Sequence, residues 1–176
     1  MSYVRQVSEA QASPELKSLY MQVRDSFGFV PNHFQALGSL PAVIKGHLEL
    51  GQVIIKEGEL SLALKEEIGL VVSGINASSY CISAHMQVLS RLGVEPSLGS
   101  ALTSDYSSAP VSEKDKALFR FAHKLTRQQD EIEQDDADAV LNAGWSEAQL
   151  LETVLTTAWF NFINRISLGL GLVSDF

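Results

Sequence analysis

Apolar residues recur along this chain at helical spacing, in segments that begin at proline or capping residues and end at glycine. In the first segment Ser13 and Pro14 precede an apolar stripe that ends at Gly28, which is the order of signals expected for one helix. The same pattern predicts further helices over 32–37 (a single turn), 41–56, 62–75, 78–92, 96–102, 112–125, 130–143 and 146–169. No segment alternates with a period of two for more than a few residues, so the predicted fold class is all-α.

The last predicted helix, 146–169, is apolar on most of its sides. A helix of this kind must be buried inside a large core or against another subunit. For a chain of this size we favour a subunit interface, and therefore a homo-oligomer. Three polar residues interrupt the helix, Asn161, Asn164 and Arg165, and because buried polar groups need partners we interpret them as interface or site-lining residues, with packing registration favoured.

Length and composition indicate one domain, 1–176, with an N-terminal helix and extended arm over 1–40 and a helical core over 41–176. The 176 residues are 45% apolar, which suffices for a substantial core. No apolar run approaches the roughly 20 residues of a membrane span, and the first residues lack the apolar centre of a signal peptide. A single cysteine excludes an intrachain disulfide and fits a reducing compartment, so we expect a cytoplasmic protein. The net charge of −8 argues against nucleic acid or an anionic membrane as a partner.

The chemically distinctive stretch is 65–92, which contains that cysteine. Cys81 and His85 are four residues apart and so project from one face of a helix. A thiol reacts as its thiolate, which a nearby imidazole and a helix N-terminus would both favour. A carboxylate on the preceding helix could orient the imidazole, and geometry alone leaves Glu66 and Glu67 as alternatives. The competing interpretation is that Cys81 is an inert buried residue.

The surrounding residues resemble the AhpD-like alkylhydroperoxidase branch of the carboxymuconolactone decarboxylase family, in its peroxidase-related subgroup. That subgroup reads E…N-G-C-x-Y-C-x-x-x-H, whereas this chain has Asn76, Ser78, Tyr80, Cys81 and His85 in the same frame. Serine therefore replaces the first cysteine of the C-x-x-C pair. The resemblance implies an AhpD-like helical bundle. It also selects Glu66, fifteen residues before the cysteine, as the carboxylate, and it leaves Glu67 as a solvated charge.

The resemblance further implies supporting roles for Asn76, Ser78 and Tyr80. Asn76 could simply end a helix and Ser78 could cap the next one. Tyr80 could lend its hydroxyl to a proton relay or be an ordinary packing residue with its hydroxyl at the surface. His33, His47 and His123 have no ligand-like spacing, and a zinc site built on Cys81 and His85 has little support, so no metal and no cofactor are expected.

The implied function is a one-cysteine peroxidase that reduces hydroperoxides through Cys81, His85 and Glu66. Because a hydroxyl cannot form a disulfide, Ser78 cannot resolve an oxidised Cys81, and an external thiol reductant must be the second partner. The alternatives are a degenerate family member that acts as a redox sensor or small-molecule binding protein, and a lyase of the carboxymuconolactone decarboxylase type. The homo-oligomer could be a dimer, trimer or hexamer.

Overall fold

The computed structural model describes residues 2–176, and no strand is present in that range. The helices are α1 (Pro14–Phe27), α2 (Asn32–Ala36), α3 (Pro41–Gly51), α4 (Leu62–Ile75), α5 (Ser79–Arg91), α6 (Pro96–Asp105), α7 (Glu113–Arg127), α8 (Gln134–Asn142) and α9 (Glu147–Gly169). A π-helical turn, Gln52–Lys56, continues α3, and short 3₁₀ turns lie at Glu9–Gln11, Tyr106–Ser108 and Gln129–Glu131. The predicted all-α fold class is confirmed.

Capping side chains explain why several helices begin where the sequence predicts. The hydroxyls of Ser13, Ser112 and Ser146 each accept a hydrogen bond from the third backbone amide of the following helix, at 3.2, 3.1 and 3.1 Å. Gly28 ends α1 in the left-handed conformation with φ of 86°, which a residue without a Cβ adopts at no steric cost.

Three helix boundaries differ from the predicted ones by three residues or more. The predicted helix 41–56 is α-helical only to Gly51 and then widens into the π-helical turn. Helix α6 runs to Asp105 rather than to residue 102, because the Thr103 hydroxyl donates to the Gly99 carbonyl oxygen at 2.8 Å and does not interrupt the helix. Helix α8 begins only at Gln134, because a capping box between Glu133 and Asp136 fixes its first turn there.

Helix α4 lies at the centre of the fold and packs against α5, α6, α7 and α9. Its residues 65, 66 and 68–73 are all buried, so it has no solvated face along that length. The main core forms around Ile68, Val72, Phe119 and Phe160. A second core joins α1, α2 and α3 and includes Ile44, so it crosses the predicted boundary after residue 40. The domain division at that point stays a prediction.

A hydrogen-bonded polar network fixes α9 against α4. Asn164, fully buried on α9, donates to the Ser73 hydroxyl at 3.1 Å. Asn76 donates to the side-chain oxygens of Asn161 at 2.9 Å and Asn164 at 3.2 Å, and Arg165 donates to that of Asn161 at 2.7 Å. Because these partners are specific, sliding α9 by one turn would leave several buried polar groups unpaired. The polar residues of the last helix therefore set the packing register within one chain.

Apolar side chains remain exposed along one side of α3 and α9. On α9 these are Leu151, Leu155 and Phe162, and on α3 they are Val43 and Leu50. All of these except Leu151 border a shallow groove between the two helices. No helix in the described part of the chain is long and apolar enough to cross a bilayer.

A buried ion pair secures the loop between the π-helical turn and α4. The Lys65 ammonium is fully buried and donates to the carbonyl oxygens of Ile54 and Glu57 as well as lying 3.0 Å from Glu152 Oε2. Burial acts to raise the pKa of Glu152. Hydrogen bonds from the Glu59 and Leu60 amides and from Lys65 outweigh this effect, so that the pKa lies below its ordinary value. The carboxylate thus balances the buried charge and caps two amides of the loop.

We predict that Glu152→Ala lowers the free energy of unfolding by about 3–5 kcal/mol, because it leaves the Lys65 charge buried without its counter-ion. Urea denaturation followed by circular dichroism measures the change. The matched control is Glu113→Ala, which breaks the exposed ion pair to Lys116 and should leave the urea midpoint almost unchanged. Equal effects of the two substitutions would contradict this account of the ion pair.

Candidate active site

A cavity of about 320 Å³ lies between α3, α4, α5 and α9, and α2 and the C-terminal residue Phe176 form part of its wall. Cys81, His85, Glu66 and Tyr80 all contribute to its lining. Two of the other predicted residues lie away from this wall, since Asn76 belongs to the network between α4 and α9 and Ser78 is enclosed at the start of α5.

Glu66 and His85 are in direct contact across the α4–α5 interface. Glu66 Oε2 lies 2.6 Å from His85 Nδ1, and both side chains are buried. The edge of the His85 ring packs against Phe160 of α9, with the ring centroids 4.5 Å apart. A carboxylate at Nδ1 leaves the other ring nitrogen, Nε2, as the atom that can exchange a proton with a bound molecule.

Gly69 is the residue that makes this contact possible. It lies one helical turn after Glu66 on α4, and a Cβ at this position would come within 2.5 Å of His85 Cε1. The His85 ring therefore occupies the space that any larger side chain would need. The sequence indicated only that a small residue here allows close approach of a neighbouring helix.

The Cys81 thiol is buried, with 2% of the residue exposed, and hydrogen bonds to the Ser167 hydroxyl at 3.6 Å rather than to His85. Burial raises the pKa of Cys81, and the Ser78 and Ser167 hydroxyls only partly offset this. The raised pKa disfavours the expected resting thiolate, and activation of the thiol by His85 stays a prediction. The two side chains do share one face of α5, but Glu66 engages His85 from the neighbouring helix.

Ser78 occupies the N-cap position of α5, as predicted, but its side chain makes no capping hydrogen bond. The hydroxyl is buried and has no well-formed partner, although it lies close enough to Cys81 to lower the pKa of the thiol. The preceding residue, Ala77, has a φ of 54°, so the chain turns sharply between α4 and α5 at this point. That turn brings the Ser78 side chain beside the thiol.

Tyr80 fits neither predicted alternative. Its hydroxyl is buried and accepts a hydrogen bond from the His33 backbone amide at 3.1 Å, so it fixes the start of α2. Burial raises the pKa of Tyr80 above that of an exposed tyrosine. Asn76 does end α4, as expected, and its side chain joins the network to α9.

Glu67 is half-buried near Asp115 of α7 and not a solvated charge. Burial, with a smaller contribution from the Asp115 carboxylate, raises the pKa of Glu67 to about 7. It does not line the cavity or contact His85. Of the two adjacent carboxylates, Glu66 is the one that lies in the cavity.

Two histidines lie together in the cavity wall, although their spacing in the sequence did not predict a contact. The rings of His33, on α2, and His47, on α3, have centroids 5.0 Å apart. His47 also contacts Trp159 of α9, at 4.7 Å between ring centroids. The position of His47 between Ile44 and Leu48 on the apolar side of its helix was a usable signal, whereas nothing in the sequence pointed to His33.

The side chains give no indication of a metal site. In the described range, 2–176, no group of three or more histidine, cysteine, aspartate and glutamate side chains is arranged to bind a metal ion. Among the described residues, Glu66 is the only acidic side chain in the cavity wall, and it is already bonded to His85.

Comparisons with known proteins agree with this fold. Residues 41–97, which include Glu66, Cys81 and His85, match the carboxymuconolactone decarboxylase family. A search of curated proteins finds no match. An AhpD-core, peroxidase-related protein from Ralstonia eutropha JMP134 has a TM-score of 0.91 at 23% identity, over 99% of this chain and 92% of that one.

Two further solved structures are similar. A peroxidase-related protein from Silicibacter sp. TM1040 has a TM-score of 0.87 at 26% identity, over 97% of this chain and 92% of its own. A variant of the debrominase Bmp8, in complex with 2,3,4-tribromopyrrole, has a TM-score of 0.85 at 20% identity, over 99% of this chain and 92% of its own. These structures show that the chain has the AhpD-like fold, and residues 41–97 are similar to the carboxymuconolactone decarboxylase family.

We predict that Gly69→Ala displaces the His85 ring and lowers the free energy of unfolding by about 1–3 kcal/mol, because the added methyl group overlaps the imidazole. Urea denaturation measures the loss, and the histidine ring resonances in the NMR spectrum report the displacement. Gly169→Ala is the control, since a Cβ there meets no atom within 4 Å and should cost nothing. Unchanged His85 resonances in Gly69→Ala would contradict the close packing described above.

Proposed function

We propose that this protein is a one-cysteine hydroperoxide reductase in which Cys81 is the nucleophile and His85, oriented by Glu66, transfers the proton. The observation that supports this most is the buried Glu66–His85 contact, at 2.6 Å, in the same cavity wall as the thiol. A relay of carboxylate, imidazole and nucleophile is the usual arrangement for activating a weak nucleophile.

In the first step a hydroperoxide enters the cavity next to Cys81. The S–O bond forms as the O–O bond breaks, and Cys81 becomes a sulfenic acid while the hydroperoxide leaves as an alcohol. The thiol proton moves to His85 Nε2 and is then delivered to the departing alkoxide oxygen. Because the thiol is neutral at rest, this proton transfer has to accompany the attack, which explains why the reaction needs a positioned base.

The sulfenic acid is then reduced by an external thiol. One thiol molecule displaces water and forms a mixed disulfide with Cys81, and a second releases the reduced Cys81 and leaves as a disulfide. The protein supplies no resolving cysteine, because Ser78 stands beside Cys81 and its hydroxyl cannot form a disulfide. The reductant is thus a small cellular thiol, and the reaction takes place in a reducing compartment such as the cytoplasm.

We predict that cumene hydroperoxide consumption with a small-thiol reductant is abolished by Cys81→Ser and falls by roughly 10²–10⁴-fold in His85→Gln. Glu66→Gln should cause a smaller loss, because the imidazole remains but loses its orienting carboxylate. His123→Gln is the control, since that ring bonds to the Tyr106 hydroxyl and does not line the cavity. Peroxide loss is followed by a colorimetric assay.

The same variants, together with mass spectrometry, distinguish a peroxidase from the alternative functions. If Cys81→Ser and the unsubstituted protein consume peroxide equally, the catalytic assignment is wrong. If mass spectrometry finds a sulfenic acid at Cys81 without turnover, the protein is a redox sensor. Ser78→Cys should form an internal disulfide with Cys81 after one equivalent of peroxide, because residue 78 is the N-cap of α5 and its side chain lies beside Cys81 in the first turn of that helix.

A second candidate reaction is thiol-dependent removal of a halogen from an aromatic ring. The observation that favours it is the aromatic wall of the cavity, which includes Phe34, Trp159 and Phe160, combined with the fold shared with the debrominase Bmp8. In that reaction the sulfur takes the bromine and the ring takes a proton. An external thiol then displaces bromide and forms a mixed disulfide with Cys81, and a second thiol releases the reduced Cys81 and leaves as a disulfide. Bromide release from 2,3,4-tribromopyrrole, absent in Cys81→Ser, would favour this candidate over the peroxidase.

The protein functions as a homo-oligomer in this proposal, joined through the exposed apolar residues of α3 and α9. The groove between them shares His47 and Trp159 with the wall of the cavity, so a second copy seated there would also shield the site. We predict that Leu155→Glu, at a residue 43% exposed in the single chain, dissociates the oligomer in sedimentation equilibrium. Leu92→Glu, at the exposed end of α5, should leave the mass unchanged, and a monomeric unsubstituted protein would refute the interface.

A further inference from the structure

The cavity is much larger than hydrogen peroxide requires. Its volume of about 320 Å³ is roughly ten times the space that a water-sized molecule occupies in the liquid, and it lies at the lower end of the range for small-molecule sites. Aromatic rings contribute much of its lining, among them Phe34, Trp159, Phe160 and Phe176. A cavity with these dimensions and walls fits a molecule with a single aromatic ring.

The most deeply buried polar groups without partners in this wall are imidazoles. His33 is 4% exposed, and neither of its ring nitrogens has a hydrogen-bond partner among residues 2–176. Nδ1 of His47 is also buried without a partner. Buried polar atoms are nearly always paired, and leaving one unpaired costs about 1–3 kcal/mol. Three such atoms on two adjacent rings are the groups that a bound molecule would satisfy.

Other polar groups in the wall are already engaged or lie at its rim. Glu66 and His85 are bonded to each other, Cys81 is bonded to Ser167, and the Tyr80 hydroxyl accepts the His33 amide. The remaining polar side chains, Ser26, Gln52 and Lys56, are exposed. The two imidazoles are therefore the buried polar groups of the cavity wall that have no role in the fold or in the proposed reaction.

Neighbouring groups hold both rings in place. The backbone of His33 is fixed by Tyr80, and its ring packs edge-on against Phe34 with centroids 5.3 Å apart. His47 packs against Phe34 at 5.0 Å and Trp159 at 4.7 Å. Binding of a ligand therefore costs these two side chains little conformational entropy, and the hydrogen bond contributes fully to the affinity.

Burial also sets the charge of the pair. It lowers the pKa of His33 to about 3, with a further contribution from His47, and that of His47 to about 4. Both rings are therefore neutral at pH 7, and each offers one N–H donor and one nitrogen acceptor. Such a pair can form hydrogen bonds with a hydroxyl or N–H group of a ligand, but it has no positive charge to balance a carboxylate.

We propose that His33 and His47 form the recognition element of the cavity, which binds an uncharged, single-ring aromatic molecule through one hydroxyl or N–H group. This inference rests on the proposed function only in taking the cavity as the substrate site. It adds that the substrate is selected by its aromatic ring and by a polar group placed away from the reacting thiol. An aryl hydroperoxide with a ring hydroxyl group would meet both requirements.

Binding of unreactive probes tests this proposal without any redox step. The reference protein carries Cys81→Ser, to prevent thiol chemistry, and Trp145→Phe, so that Trp159 in the cavity wall is the only remaining tryptophan and reports binding by its fluorescence. The probes are phenol, toluene and benzoate at pH 7. They share the ring and differ in whether they carry a neutral polar group, no polar group or a negative charge.

We predict that the reference protein binds phenol at least about tenfold more tightly than toluene or benzoate, which corresponds to one net hydrogen bond. Adding His33→Leu or His47→Leu should reduce the preference for phenol over toluene severalfold, and His33→Gln, which keeps a hydrogen-bonding side chain, should retain most of it. His123→Gln should leave it intact.

Equal affinities for phenol and toluene, tighter binding of benzoate, or no binding at all would overturn the proposal. So would a preference for phenol that survives both leucine substitutions. Because the reference protein lacks the thiol, the result does not depend on peroxidase activity. A preference for phenol in a protein that fails the peroxide assay would refute the proposed function and leave this inference standing.

Discussion

The contact between Glu66 and His85 is the interaction on which the site depends. It joins α4, which is buried along most of its length, to α5, which carries the thiol, and it needs the missing side chain of Gly69 to form. Two buried ionisable groups are tolerated in this core because each satisfies the other. Because Nδ1 of the imidazole bonds to the carboxylate, Nε2 is the nitrogen that remains for a molecule bound in the cavity.

The state of the thiol follows from the same contact. With His85 engaged by Glu66, Cys81 has the Ser167 hydroxyl as its hydrogen-bond partner, and burial keeps the sulfur protonated. A neutral thiol next to a positioned base is protected from indiscriminate oxidation and becomes reactive when a substrate brings the two groups together. The polar network around Asn164 supports this arrangement, because it fixes the helix that carries Ser167 against α4.

Sequence reasoning predicted the helices well because their ends carry local signals. Ser13, Ser112 and Ser146 cap their helices through their own side chains, so the starts could be read directly. The widening of α3 after Gly51 was not predicted. One carbonyl oxygen of the widened turn, that of Ile54, accepts a hydrogen bond from the Lys65 ammonium of another helix. The local sequence pattern does not predict tertiary contacts of this kind.

The candidate site was predicted in its residue types but not in its contacts. Helical spacing placed Cys81 and His85 on one face, yet it could not show that the imidazole would bond to Glu66 and the thiol to Ser167. His33 lies on α2 and His47 on α3, so no rule about spacing within one helix could predict that their rings are in contact. Family resemblance selected Glu66 over Glu67, whereas residue geometry alone left both open.

The most direct test of this account is the ionisation of Cys81 in the free protein. Thiolate absorbance near 240 nm, measured from pH 5 to pH 10 as the difference between the unsubstituted protein and Cys81→Ser, gives the pKa of this one thiol. The account predicts a pKa above the ordinary value of about 8.5, with little change in His85→Gln, because the imidazole is engaged with Glu66. A pKa near 6 that rises in His85→Gln would show a resting ion pair between thiolate and imidazolium, and would contradict it.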